Sequence, residues 1–104
     1  MPRTLKHTSR ARAARHEALW LKLTALQAQL APVASKRPGA AVSPLTAQIA
    51  AALLGEAASF GDAEAPLRPA SDHGGVLTQL GQALAELDAW QDRESRWRAE
   101  RNAF

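Results

Sequence analysis

The chain has 104 residues, of which 46% are apolar and 22% charged, and this fits one small folded domain rather than two domains or a disordered tail. It contains no cysteine, which excludes disulfides, thiolate zinc sites and cysteine nucleophiles. The formal charge at pH 7 is +3, and no run of about 18 apolar residues is present that would predict a membrane-spanning helix.

The positive charge is concentrated at the start of the chain. Residues 1–16, which we call the basic arm, carry no acidic residue and five basic ones, Arg3, Lys6, Arg10, Arg12 and Arg15. Such a cluster favours nucleic acid, an acidic protein surface or anionic lipid. The simplest alternative is a solubilising, partly frayed terminus that merges into the first helix. The arm lacks the apolar core of a secretory signal, and the absence of cysteine fits a cytoplasmic protein.

The first predicted helix extends from about Ser9 to Ala31, with Thr8 or Ser9 as its N-cap and Pro32 as its end. Two apolar stripes follow its helical period. The α1 leucine stripe comprises Leu19, Leu23, Leu26 and Leu30, and the α1 alanine stripe comprises Ala14, Ala18, Leu21, Ala25 and Ala28. Because the two stripes lie on roughly opposite sides, we expect this helix to be central, with neighbours on both.

The second predicted helix is shorter. It begins at Ser43-Pro44, a capping residue followed by proline in the first turn, and ends near Phe60-Gly61, where Gly61 is a candidate left-handed cap. Its predicted apolar face comprises Leu45, Ile49, Ala52 and Leu53, joined by Leu54 and Ala57. Residues 61–75 contain Pro66, Pro69, Gly74 and Gly75 and are predicted to be a loop, either disordered or in contact with a partner.

The third predicted helix extends from about Gly75 or Val76 to Asn102, with Ser71 or Asp72 as its cap. One apolar stripe comprises Leu77, Leu80, Leu84 and Leu87, and beside it Val76, Ala83, Trp90 and Trp97 recur every seven residues. Its second half carries opposite charges four residues apart: Asp92 with Arg96, Glu94 with Arg98, and Arg96 with Glu100.

These elements predict an all-α fold, a three-helix antiparallel arrangement with long first and third helices and a shorter middle helix. We expect a single helical domain over residues 9–104. Because alanine is the commonest residue and buries little area, the core is expected to be thin. This favours self-association, and we predict a homodimer.

No catalytic, cofactor or metal motif is present in the sequence. His7 and His16 are nine residues apart in the basic arm, and His73 lies in the predicted loop, where an exposed histidine is the expected interpretation. The Gly74-Gly75 pair fits no phosphate-binding pattern and indicates flexibility at a helix entry. The sequence therefore predicts no enzyme, no cofactor and no small-molecule substrate.

Tryptophan and arginine on the third helix are the candidate protein-binding residues, because these residue types are enriched in binding hot spots. Arg93, Trp97 and Arg101 are four residues apart and share a face. We predict that Trp97 is an interface anchor. Trp90 is included in this set, although its position beside the leucine stripe favours a place in the core.

The leading hypothesis is a non-enzymatic helical interaction protein, an adaptor, inhibitor or regulator that binds a larger macromolecular partner. The alternative is a DNA-associated accessory protein that uses the basic arm. No basic residue occurs between Pro38 and Ala65, so the second helix does not fit a DNA-recognition helix. An enzyme ranks third.

Overall fold

The computed structural model describes residues 2–60 and 68–102, with side chains described for residues 11–60 and 68–101. It contains helices α1 (Pro2–Lys36), α2 (Pro44–Ala58) and α3 (His73–Asn102). α1 and α3 make the most extensive contact, and α2 packs against both, more against α3. The two long helices are antiparallel, since His16 contacts Leu87 at one end and Pro38 contacts Gly74 at the other. The predicted three-helix arrangement is confirmed.

The described part of the chain is elongated, with dimensions of 53 × 23 × 21 Å. This shape follows from two long helices side by side, since 35 residues at about 1.5 Å each give roughly the longest dimension. None of the three helices combines the length and apolar character required to cross a membrane in the ranges described.

α1 is longer than predicted at both ends. It begins at Pro2, so the predicted N-cap at Thr8 or Ser9 is wrong, and the basic arm from residue 2 onward is part of the helix. It also continues through Pro32 to Lys36. Proline removes one hydrogen bond to the carbonyl of Ala28. Both residues are exposed, so water can hydrate that carbonyl and the helix continues.

The core lies where the three helices meet. The α1 leucine stripe is buried, as predicted, together with residues of α2 and α3. The contributions of the last two helices are Ala50, Leu53, Leu54 and Ala57 from α2, and Val76, Leu80, Ala83 and Leu87 from α3. The predicted leucines Leu77 and Leu84 are half-buried and pack against this core.

The α1 alanine stripe is exposed along its whole length, so the predicted central position of α1 is wrong for the single chain. The helix with extensive contacts to both others is α3. The physical reason is that burying leucine gains far more free energy than burying alanine, and the leucine stripe therefore decides which side of α1 faces the core.

The N-terminus of α2 is as predicted, but its buried face is turned. Ser43 Oγ accepts a hydrogen bond from the Thr46 N–H at 3.1 Å, which confirms the cap. Leu45, Ile49 and Ala52, predicted to be on the apolar face, are exposed. The predicted C-terminal cap Gly61 lies outside the described residues.

The connections before α2 and before α3 pair with each other, although they are far apart in sequence. The Val42 N–H donates to the Ser71 carbonyl at 2.9 Å, and the His73 N–H donates to the Ala40 carbonyl at 2.9 Å. His73 Nδ1 also lies 2.7 Å from the Ala40 carbonyl oxygen. His73 is thus the half-buried first residue of α3, and its predicted place in an exposed loop is wrong.

The glycine pair at the start of α3 is explained by close packing. Asp72 Oδ1 accepts a hydrogen bond from the Gly75 N–H at 2.8 Å, which confirms Asp72 as the cap. A Cβ atom on Gly75 would lie against Asp72 Oδ1 and 2.5 Å from the Ala70 Cβ. Gly75 therefore provides space for the capping turn, rather than the predicted flexibility.

Candidate functional site

The end of the bundle opposite these connections contains all three tryptophans. We call it the tryptophan end and define it as residues 11–20 of α1 and residues 88–101 of α3, together with Phe60. Its innermost part is an aromatic cluster of His16, Phe60 and Trp90, one from each long helix and one just after α2. His16 is stacked on Trp90 with ring centroids 5.1 Å apart, and Phe60 meets Trp90 edge-on at 5.2 Å. This cluster closes the core.

His16 is held in the cluster by a hydrogen bond as well as by stacking. It is 6% exposed, and its Nε2 lies 2.9 Å from the backbone carbonyl oxygen of Leu87. The sequence placed His16 in the basic arm, yet it continues the spacing of the α1 leucine stripe by three residues. That periodicity was the signal for its burial.

Two arginines of the basic arm contact this cluster. The Arg12 guanidinium lies 5.8 Å from the centroid of the Trp90 ring, and that of Arg15 lies 5.6 Å from the Phe60 ring. Both residues are otherwise exposed. The remaining predicted nucleic-acid-binding residues, Arg3, Lys6 and Arg10, lie outside the residues whose side chains are described.

The predicted protein-binding residues form one continuous surface on α3, which we call the arginine face. Trp97 is 55% exposed, and the Arg101 guanidinium lies 4.9 Å from the centroid of its ring. Trp90, Arg93 and Trp97 line a shallow groove of about 320 Å³ with Glu94. Trp90 is partly buried and packs against the core, as predicted, and it also lines this groove.

A second and larger groove of about 510 Å³ lies between α1 and α3. Its walls include His16 and Trp20 from α1, and three carboxylates, those of Glu17, Asp88 and Glu94. We call it the acidic groove. Sequence reasoning missed it, because its lining residues come from two helices and form one groove only in the folded chain.

Ion pairing at this end is sparse. Of the three predicted charge pairs on α3, Arg96 and Asp92 form a salt bridge at 3.4 Å. It is the one salt bridge among the side chains that the structure describes, so Arg93, Arg98 and Arg101 have no carboxylate within 4.0 Å in this set. The same residues contain no group of three histidine or carboxylate side chains placed to hold a metal ion.

The chain matches no protein-family model, no curated protein and no solved structure.

Proposed function

We propose that this chain is a non-enzymatic helical interaction protein, an adaptor, inhibitor or regulator, that binds a partner protein through the arginine face. The observation that carries this proposal is the indole of Trp97, which is 55% exposed and lies under the guanidinium of Arg101. Tryptophan and arginine are the residue types most enriched among binding hot spots, because they combine a large apolar area with directional hydrogen bonding.

The geometry favours a partner surface that is acidic around an apolar residue. The stack of Arg101 on Trp97 restricts both long side chains before binding, which lowers the entropy that association must overcome. Arg93 and Arg101 have no carboxylate partner among the described side chains, so their donors are available to carboxylates of another protein.

We also expect the chain to act as a homodimer in the cytoplasm. The support for self-association is the exposed apolar area that the three helices leave uncovered, namely Leu21 in the α1 alanine stripe and Leu45 and Ile49 on α2. Light scattering at micromolar concentration tests this expectation. A monomer with a single cooperative unfolding transition would contradict it.

The proposed binding surface is tested with Trp97→Ala and a matched control, Val33→Ala. Val33 is 39% exposed and lies near the other end of α1, away from the tryptophan end and from the proposed dimer surface. Partner proteins are captured from the native host with the unmodified chain, and their affinities for both variants are then measured by calorimetry. We expect Trp97→Ala to weaken binding about 30-fold, as for a hot-spot residue, and Val33→Ala to leave it unchanged. Far-UV circular dichroism should show the same helicity for all three proteins.

Two outcomes would contradict the proposal. One is a captured partner whose affinity is the same for Trp97→Ala and the unmodified chain. The other is retention on DNA that falls steeply with salt and disappears when Arg3, Lys6 and Arg10 are replaced by glutamine, with no protein partner captured. That result would favour the alternative, a DNA-associated protein that uses the basic arm.

A further inference from the structure

The acidic groove carries an excess of negative charge that the described residues do not compensate. It contains the carboxylates of Glu17, Asp88 and Glu94 and one cation, Arg98. None of these carboxylates has a basic group within 4.0 Å among the side chains described. Since clustered carboxylates around a concave surface make the local potential more negative, the groove attracts a cation.

One wall of the groove is the indole of Trp20, which lacks the aromatic and guanidinium contacts that the other two tryptophans make. Trp90 is in contact with His16, Phe60 and Arg12, and Trp97 is in contact with Arg101. Within the described ranges, Trp20 has no aromatic ring or guanidinium against it, although it is 38% exposed. An exposed indole beside carboxylates suits a cationic group, which is attracted by the ring face.

The buried histidine supplies an acceptor at the same place. A backbone carbonyl only accepts hydrogen bonds, so the contact of His16 Nε2 with the Leu87 carbonyl makes Nε2 the donor. In the tautomer that donates from Nε2, Nδ1 is an acceptor. Nδ1 makes no hydrogen bond among the described residues, and because no buried side-chain nitrogen or oxygen of that part of the chain lacks a partner, Nδ1 is open to solvent. His16 is more than nine-tenths buried and lines the groove. The groove thus offers mainly acceptors to a ligand with several donors.

We propose that the acidic groove binds an arginine side chain of the partner protein. A guanidinium is planar, carries five N–H donors and stacks on aromatic rings, and so it matches an indole wall flanked by carboxylates better than the compact ammonium of lysine. Trp20 provides the stacking surface, and Glu17 and Asp88 provide the charge on the α1 and α3 sides. This inference rests on the proposed function, which supplies the partner protein. It adds a contact in which this chain is negatively charged, beside the arginine face, where this chain is positively charged.

The test is a titration of the full chain with the peptide acetyl-Gly-Arg-Gly-amide, followed through the indole N–H resonances of the three tryptophans by NMR. We expect a saturable shift of the Trp20 resonance and a much smaller one for Trp97. Glu17→Gln should weaken binding about threefold to tenfold, because it removes a charge-assisted contact in the groove. The matched control is Glu86→Gln, an exposed carboxylate of α3 outside the groove, which should leave the affinity unchanged.

Three outcomes would overturn the inference. The first is a Trp20 resonance that does not shift up to the solubility limit of the peptide. The second is equal weakening by Glu17→Gln and Glu86→Gln, which would show attraction by overall charge alone. The third is equal affinity for acetyl-Gly-Lys-Gly-amide, which would remove the guanidinium assignment. The titration contains no partner protein, so its failure is distinguishable from failure of the Trp97 experiment.

Discussion

The two ends of this elongated bundle are built from the same two helices but differ in what covers them. At the end with the connections, α2 packs over α1 and α3, and residues such as Leu23 and Leu80 are fully buried. At the tryptophan end, α1 and α3 continue without α2, and Trp97 is largely exposed. Covering by a third helix separates the well-buried part of the molecule from the part that carries the proposed binding surface.

The boundary between the two ends is set by the length of α2. This helix has 15 residues, against 35 and 30 for α1 and α3, so it covers only part of their length. Phe60 follows its C-terminus and closes the core against His16 and Trp90. Beyond this cluster, residues 2–15 of α1 carry five basic residues and no acidic one, and residues 91–102 of α3 carry four arginines, two glutamates and one aspartate.

The largest expected effect is at the covered end. Leu80→Ala removes a fully buried side chain and should lower the free energy of unfolding by about 2–5 kcal/mol, through lost burial and a residual cavity. The matched control Leu21→Ala changes a leucine of α1 that is exposed in the single chain, and it should stay within about 0.5 kcal/mol at a protein concentration low enough to dissociate the proposed dimer. Urea denaturation followed by circular dichroism measures both. Similar losses of unfolding free energy for the two variants would mean that the side of α1 with the alanine stripe is buried as well. That result would contradict the contrast between the two ends.

A smaller effect is expected at the capping turn of α3. Gly75→Ala places a Cβ against the Asp72 carboxylate and Ala70, and it should destabilise the fold by about 1–3 kcal/mol. Gly55→Ala, in α2, is the matched control: no atom lies within 4 Å of its added Cβ, so the better helix propensity of alanine should stabilise the protein by about 1 kcal/mol. Thermal unfolding of the two variants should therefore shift in opposite directions. A stabilised Gly75→Ala variant would show that the capping turn tolerates a side chain.

The sequence predicted the fold where buried residues recur at the helical period. It did not predict contacts between residues that are distant in sequence. The α1 leucine stripe and the Ser43 and Asp72 caps are local patterns, and the structure confirms them. The pairing of the connection before α2 with that before α3 has no local signal, and so the place of His73 was wrongly predicted. Pro32 also shows that a strong local rule fails when the affected carbonyl is exposed to water.

The candidate site likewise has one part that local spacing predicts and one part that only the packing of two helices creates. Spacing along one helix placed Arg93, Trp97 and Arg101 on a common face, and the structure brings Trp90 to the same surface. The acidic groove needs Glu17 of α1 and Asp88 of α3 to line the same groove. That arrangement depends on the register of two helices, which neither helix specifies alone.

The smallest expected effect is at the surface of the tryptophan end. Arg96 and Asp92 are 78% and 69% exposed, so their salt bridge is screened by water, and Arg96→Ala should change the free energy of unfolding by less than about 0.5 kcal/mol. The control Arg93→Ala has no such pair among the described side chains and should change it equally little. Urea denaturation at low and high salt measures both variants, and any difference at low salt should vanish as salt screens the pair. A loss above about 1 kcal/mol would mean that this i,i+4 pair stabilises α3 by more than an exposed salt bridge should. A loss near zero means that the arginines of this end contribute little to folding, which leaves their charge for a partner.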